Sequence, residues 1–186
     1  MSAARIPAQS GGNPYALRCG STPSNVLRMG LWSALAFVLN LTWEFSHVGL
    51  YTIGRDADSL RITRAVVHCS LGDVVIALAM FALAGIALWR VDWPMSRPRT
   101  GGIIAVISAL AITIWSEWYN VYRTGAWSYT PDMPTIYGIG LSPLLQWLII
   151  PPMLVVAYST LLPVLSRIFW AQPADPIRES TRHRRS

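Results

Sequence analysis

The sequence predicts an all-α fold: an integral membrane bundle of four transmembrane helices. Three observations carry that reading. Hydrophobic residues make up 53% of the 186 positions and charged residues only 13%, where a soluble domain carries about a quarter. Mean hydropathy is +0.39. The apolar residues gather into four runs, 29–51, 65–89, 101–122 and 141–170, each at least 22 residues long, and a helix needs about 20 to cross the hydrocarbon core. Aromatic residues (Trp32, Trp43, Tyr51, Trp89, Trp93, Trp115, Trp118, Trp170) stand near the ends of the runs, where interfacial aromatics are expected.

The same composition excludes other classes. Low charge with nine tryptophans is the opposite of a disordered chain. The net charge of +6 comes entirely from arginines spread between apolar runs rather than collected in a basic stripe, so no nucleic-acid partner is expected. Cys19 and Cys69 are too few for a disulfide framework or a cysteine metal site.

Taken in order, residues 1–24 are rich in Gly, Pro, Ser and Ala without periodicity and read as a flexible cytoplasmic tail. The transmembrane domain covers 25–170. Its fourth helix contains Pro151, Pro152 and Pro163 and is expected to kink. Residues 171–186 form a basic cytoplasmic tail. Eleven arginines (Arg5, Arg18, Arg28, Arg90, Arg97, Arg99, Arg167, Arg178, Arg182, Arg184, Arg185) fall on one side and four (Arg55, Arg61, Arg64, Arg123) on the other. The positive-inside rule then places both termini in the cytoplasm of a bacterial inner membrane, with loops 52–64 and 123–140 outside.

Ionisable residues in a bilayer are costly, so each is a functional candidate. Glu44 and His47 end helix one, His68 and Asp73 begin helix two, Glu117 and Asn120 end helix three, and Gln146 begins helix four. Threaded through the topology, all seven fall in the outward half. Asn40, Glu44 and His47 share one stripe at i, i+4, i+7, and Thr113, Glu117 and Asn120 share another. The loop 123–140, with three aromatics, two prolines and three glycines, is expected to be an ordered lid.

This pattern points first to a membrane enzyme or binding protein for a hydrophobic, isoprenoid- or lipid-like small molecule drawn from membrane lipid. Protonated carboxyls among apolar walls can deliver a proton to a double bond or epoxide. Glu44, His47, His68, Asp73 and Glu117 are the catalytic candidates, with Asn40, Trp43, Asn120, Trp127, Tyr129 and Gln146 as ligand-binding residues. A second reading takes Glu44, His47, His68, Asp73 and Glu117 as ligands to iron, manganese or zinc, since Glu44-x-x-His47 has the spacing of di-iron bundles. A third is a proton-coupled transporter, working as an oligomer, or a non-catalytic assembly factor.

One stretch carries a resemblance. Glu117, Thr124-Gly125-Ala126-Trp127-Ser128-Tyr129, Gly138 and Pro143 resemble the acid, Gly-x-Trp-x-Tyr, Gly and Pro pattern of the membrane lycopene cyclase and carotenoid-modifying family over residues 117–152. The resemblance implies a helical membrane enzyme acting on long isoprenoids, with matching positions at Glu117, Trp127 and Tyr129. The paired glutamates of that family stand here as Leu144-Leu145-Gln146. The motifs Trp43-Glu44-Phe45, His68-Cys69-Ser70-Leu71-Gly72-Asp73 and Leu141-Ser142-Pro143-Leu144-Leu145-Gln146-Trp147 are most similar to an uncharacterised family of multi-pass proteobacterial membrane proteins. The compact four-helix layout is also broadly similar to sterol-isomerase and sigma-receptor proteins.

Overall fold

A computed structural model describes residues 25–170. Both tails, with Cys19 and the arginines they contribute to the topology argument, lie outside the described residues. The chain is an all-α integral membrane bundle, with four helices long and apolar enough to cross a membrane: Asn25–Leu50, Ser59–Leu88, Pro98–Thr124 and Leu141–Ile168.

Helix α1 (Asn25–His47) passes through a 3₁₀ turn at Val48–Leu50 into a single helical turn, α2 (Ile53–Asp56). The next span, α3 (Ser59–Leu88), starts six residues before the expected 65. The Asp58 side chain accepts from the Arg61 backbone N–H at 2.8 Å, and that cap lets the polar turn carrying Arg61 and Arg64 join the helix. A short turn, α4 (Trp93–Ser96), leads into α5 (Pro98–Trp118), which opens with proline at its first position, where a missing N–H costs nothing. A π-helical turn at Tyr119–Thr124 ends that span. Two short strands, β1 (Thr135–Ile136) and β2 (Ile139–Gly140), pair antiparallel, and α6 (Leu141–Trp170) continues through all three prolines, none of which ends it.

The spans alternate in direction and close into a ring: α1 packs on α3, α3 on α5, α5 on α6 and α6 on α1. Close approach at α5 follows from its buried stripe, in which every fourth residue (Gly101, Ala105, Ala109, Thr113, Glu117) faces inward and the first three are small.

At the end opposite the predicted site, the core is a cluster of interlocked aromatics. The Trp32 ring meets Phe81, Trp93 and Tyr158 edge-on at centroid distances of 4.9, 5.9 and 5.3 Å. Their indole N–H groups are satisfied by carbonyls, Trp32 by Ala77 at 3.0 Å and Trp93 by Phe81 at 3.1 Å. This corrects the expectation that Trp32 and Trp93 sit at the membrane interface, since both are fully buried. Trp89, Trp115 and Trp118 are exposed. Nearness to the end of an apolar run does not tell which face of the helix a tryptophan occupies.

The 123–140 segment is an ordered cover. Thr52 N–H donates to the Ser128 carbonyl at 3.0 Å, and Thr130 N–H to the Leu50 carbonyl at 2.9 Å. Arg55 pairs with Asp132 and also donates to the Gly49 carbonyl at 3.1 Å. The β1–β2 turn places Tyr137 (φ 49°) and Gly138 (φ 81°) in the left-handed region, as a two-residue hairpin of this kind requires. The Tyr122 hydroxyl closes against it, donating to the Gly138 carbonyl at 2.6 Å.

Candidate functional site

Two polar clusters form where α1 and α5 end and α3 and α6 begin. The first is centred on Gln146, buried in the second turn of α6. Its amide nitrogen donates to Asn40 Oδ1 at 2.8 Å and Asp73 Oδ2 at 3.1 Å, and reaches Glu44 Oε1 at 3.5 Å. One amide group thus joins α1, α3 and α6. The Asp73 and Glu44 carboxyls are gathered around that one amide nitrogen. One turn beyond Glu44, the His47 Nδ1 lies 2.6 Å from the Ser142 hydroxyl, and Nε2 lies 3.2 Å from Glu44 Oε1. That second contact lacks hydrogen-bond alignment.

The second cluster is centred on Glu117, 6% exposed in the last turn of α5. Its Oε2 accepts from the Tyr129 hydroxyl at 2.5 Å and from the Tyr51 hydroxyl at 3.5 Å. Tyr129 oxygen in turn accepts from the Gly140 N–H at 3.0 Å. The Trp127 indole lies within reach of the same carboxyl, though its buried N–H makes no aligned hydrogen bond. Burial, then the Glu117 carboxyl beside it, pushes the Tyr51 hydroxyl far above the usual tyrosine range. Tyr129 is raised by burial and by its bond to Glu117. Both tyrosines therefore stay protonated donors at ordinary pH.

Both clusters border a cavity of about 700 Å³ between the helices, within the few hundred to 1,000 Å³ typical of small-molecule sites. Much of the remaining wall is apolar, including Val48, Ile53, Val66, Val75, Ile76, Ile112 and Trp147, with Thr113, Ser116 and Asn120 as polar members on the third span. Val75 on α3 and Trp115 on α5, which border it, are 65% and 62% exposed. The cavity thus opens sideways between α3 and α5, through the flank that lipid covers in a spanning bundle. Among the described residues, no arginine lines it.

Of the residues singled out from sequence, Glu44, His47, His68, Asp73, Glu117, Asn120, Trp127 and Gln146 all line this cavity. His68 is exposed at its margin. Asn120 also bonds within its own helix, donating to the Ser116 carbonyl at 2.8 Å. Tyr129 touches the site through Glu117. Two placements differ from expectation. Asn40 does not line the cavity: it is fully buried behind Gln146, its other amide end donating to the Ala36 carbonyl at 2.8 Å. Trp43 does not line it either, packing edge-on against the His47 ring. A stripe assigns a helical face, whereas the reach of Gln146 decides which member of the stripe meets the cavity.

The metal reading fares poorly. Among the described residues, no three His, Cys, Asp or Glu side chains are grouped to hold an ion. Glu44, His47, His68, Asp73 and Glu117 divide between the two clusters and the margin, and the Gln146 amide nitrogen faces both Glu44 and Asp73 oxygens, where an iron, manganese or zinc ion would need to sit. For the transporter reading, the polar groups stop at this half and the aromatic cluster of Trp32, Phe81, Trp93 and Tyr158 closes the other.

Sequence reasoning assigned no site role to Tyr51 and Ser142. Tyr51 lies just past α1 and reads as an interfacial aromatic. Only the Tyr51–Tyr129 bridge, which pairs chain segments 78 positions apart, brings it to Glu117. Comparison of the chain with protein-family models, with curated proteins and with solved structures finds no match to any of them.

Proposed function

We propose that this chain is a membrane enzyme or binding protein that takes a hydrophobic, isoprenoid- or lipid-like molecule into the cavity between α3 and α5 and acts on it through acid and base carboxyls. The observation that carries the reading is one apolar cavity of about 700 Å³ bordered by both carboxyl clusters. Glu117, held by two tyrosine hydroxyls, and the Glu44–Asp73 pair, held by Gln146, are placed to give and receive protons. His47, beside Glu44, can relay one between the pair and the Ser142 hydroxyl. Trp127 can stabilise positive charge developing on the substrate. The resemblance of residues 117–152 to carotenoid-modifying enzymes supports a long isoprenoid as substrate. By the arginine distribution, both termini are cytoplasmic and the site lies in the outward half of an inner-membrane protein.

The test is solvent extraction of protein purified in mild detergent, followed by mass spectrometry, for wild type beside Glu117→Gln. A stoichiometric hydrophobic molecule in both, chemically converted only by the wild type, is the expected result. Extracts containing bulk membrane lipid alone, with no conversion of linear isoprenoids added to either protein, would overturn the proposal.

A further inference from the structure

Three buried polar atoms on the cavity wall have no aligned hydrogen-bond partner among the described residues: Thr113 Oγ1, His47 Nε2 and Trp127 Nε1. Thr113 is the plainest case, being 4% exposed. Thr42, Thr63, Ser70 and Thr160 all satisfy their hydroxyls on the carbonyl four residues earlier, the usual resort of a helical hydroxyl. Thr113 does not. A buried polar group left unpaired is costly in apolar surroundings, and while the Glu44 carboxyl stands 3.2 Å from His47 Nε2, Thr113 has no such neighbour and points to a ligand atom that pairs with it.

Their chemistry narrows that atom. The indole N–H can only donate, and a hydroxyl can donate. His47 Nδ1 is already engaged by Ser142, and its Nε2 lies 3.2 Å from Glu44 Oε1 without alignment. The carboxyl oxygens are the better-supplied acceptors, since Gln146 donates to Asp73 and reaches Glu44, while Tyr129 and Tyr51 donate to Glu117. What lacks a partner is therefore chiefly donor capacity, which calls for an acceptor oxygen. An anionic head is disfavoured by three carboxyls with no arginine among the lining residues. A cationic head could meet the carboxyls but, offering no acceptor, would leave the Thr113 hydroxyl unpaired. The sideways opening at Val75 and Trp115 connects this wall to the lipid phase.

We infer that the cavity binds the uncharged oxygen head, a hydroxyl or carbonyl, of a long-chain molecule that enters from the bilayer between α3 and α5, with Thr113 as a head-binding residue. This rests on the hydrophobic-ligand reading and adds the head-group class and the route to it.

Cys69 lines the same cavity and serves as the reporter. The full chain, carrying Cys19→Ser, is placed in nanodiscs, and the rate of Cys69 alkylation by N-ethylmaleimide is followed with four sixteen-carbon probes: hexadecanol, hexadecane, hexadecanesulfonate and hexadecyltrimethylammonium. Hexadecanol is expected to slow alkylation about tenfold at saturation, and the charged probes to bind roughly 100-fold more weakly, the cost of a charge held within a membrane core. Thr113→Val should weaken hexadecanol by roughly 5- to 30-fold, the loss of one hydrogen bond, while Thr113→Ser retains it. Val75→Trp should slow the onset of protection.

Protection by hexadecane equal to hexadecanol, or by either charged probe, refutes the head-group assignment while leaving a hydrophobic ligand in place. Unchanged hexadecanol binding in a folded Thr113→Val protein refutes the role of Thr113. Absence of protection by all four probes refutes this inference and the hydrophobic-ligand reading together.

Discussion

The Asn40–Gln146 bond offers the sharpest test of how the site is held together. Gln146→Leu keeps a side chain of similar size but removes a buried donor whose two bonds of normal length, 2.8 Å to Asn40 and 3.1 Å to Asp73, join three helices. Interhelical polar bonds within membranes contribute roughly 0.6 to 2 kcal/mol each, so losing both should cost about 1 to 4 kcal/mol. Asn40→Leu removes only the first, since Gln146 keeps Asp73, and should cost about 1 kcal/mol. Because Gln146→Leu strands the Asn40 oxygen in a fully buried place, the double variant should be less damaging than the sum, with a coupling of about 1 kcal/mol. The assay is reversible unfolding in mixed micelles of increasing dodecyl sulfate, followed by helical circular dichroism, on delipidated protein so that ligand binding does not enter. Effects additive to within about 0.5 kcal/mol, or a Gln146→Leu protein as stable as wild type, would refute the claim that Asn40 acts by holding Gln146 rather than by meeting a ligand.

Two further outcomes are expected. A Cβ at Gly101 would lie 2.0 Å from the ring of Trp93, which is fully buried and bonded to Phe81; Gly101→Ala should cost about 1 to 3 kcal/mol by overpacking, read as a lowered unfolding midpoint, and Gly102→Ala, which meets nothing within 4 Å, should not. The raised hydroxyls of Tyr51 and Tyr129 make the cover alkali-sensitive: the stability they hold is present below their ordinary value of 10.0 and is lost as pH rises above it. Tyr129→Phe should reduce that alkaline loss, and at neutral pH it should speed amide exchange across 126–136 more than Tyr51→Phe, whose bond to Glu117 is 1.0 Å longer (3.5 against 2.5 Å).

The four spans and the end of the bundle that carries polar groups are legible in the sequence because hydropathy and helical spacing are local properties. A run of 22 apolar residues can satisfy its backbone in lipid only as a helix, and Asn40, Glu44 and His47 share a face whatever packs against them. The same logic anticipated that Glu44, His47, His68, Asp73, Glu117 and Gln146 gather around one space. What only the tertiary structure decided are the relations between segments far apart in the chain. Trp32 and Trp93 went to the core because α4 folds under α5 at Gly101, and nothing local to either tryptophan signals that. Asn40 was turned from a ligand contact into a support by the reach of Gln146, 106 positions away. Tyr51 joined Glu117 because the cover pairs back onto the end of α1, and Thr113, on the cavity wall, was left without a partner among the described residues. Each of these depends on which neighbour arrives at a given face, a choice made by packing and hydrogen-bond satisfaction over the whole bundle, and not by the residues on either side.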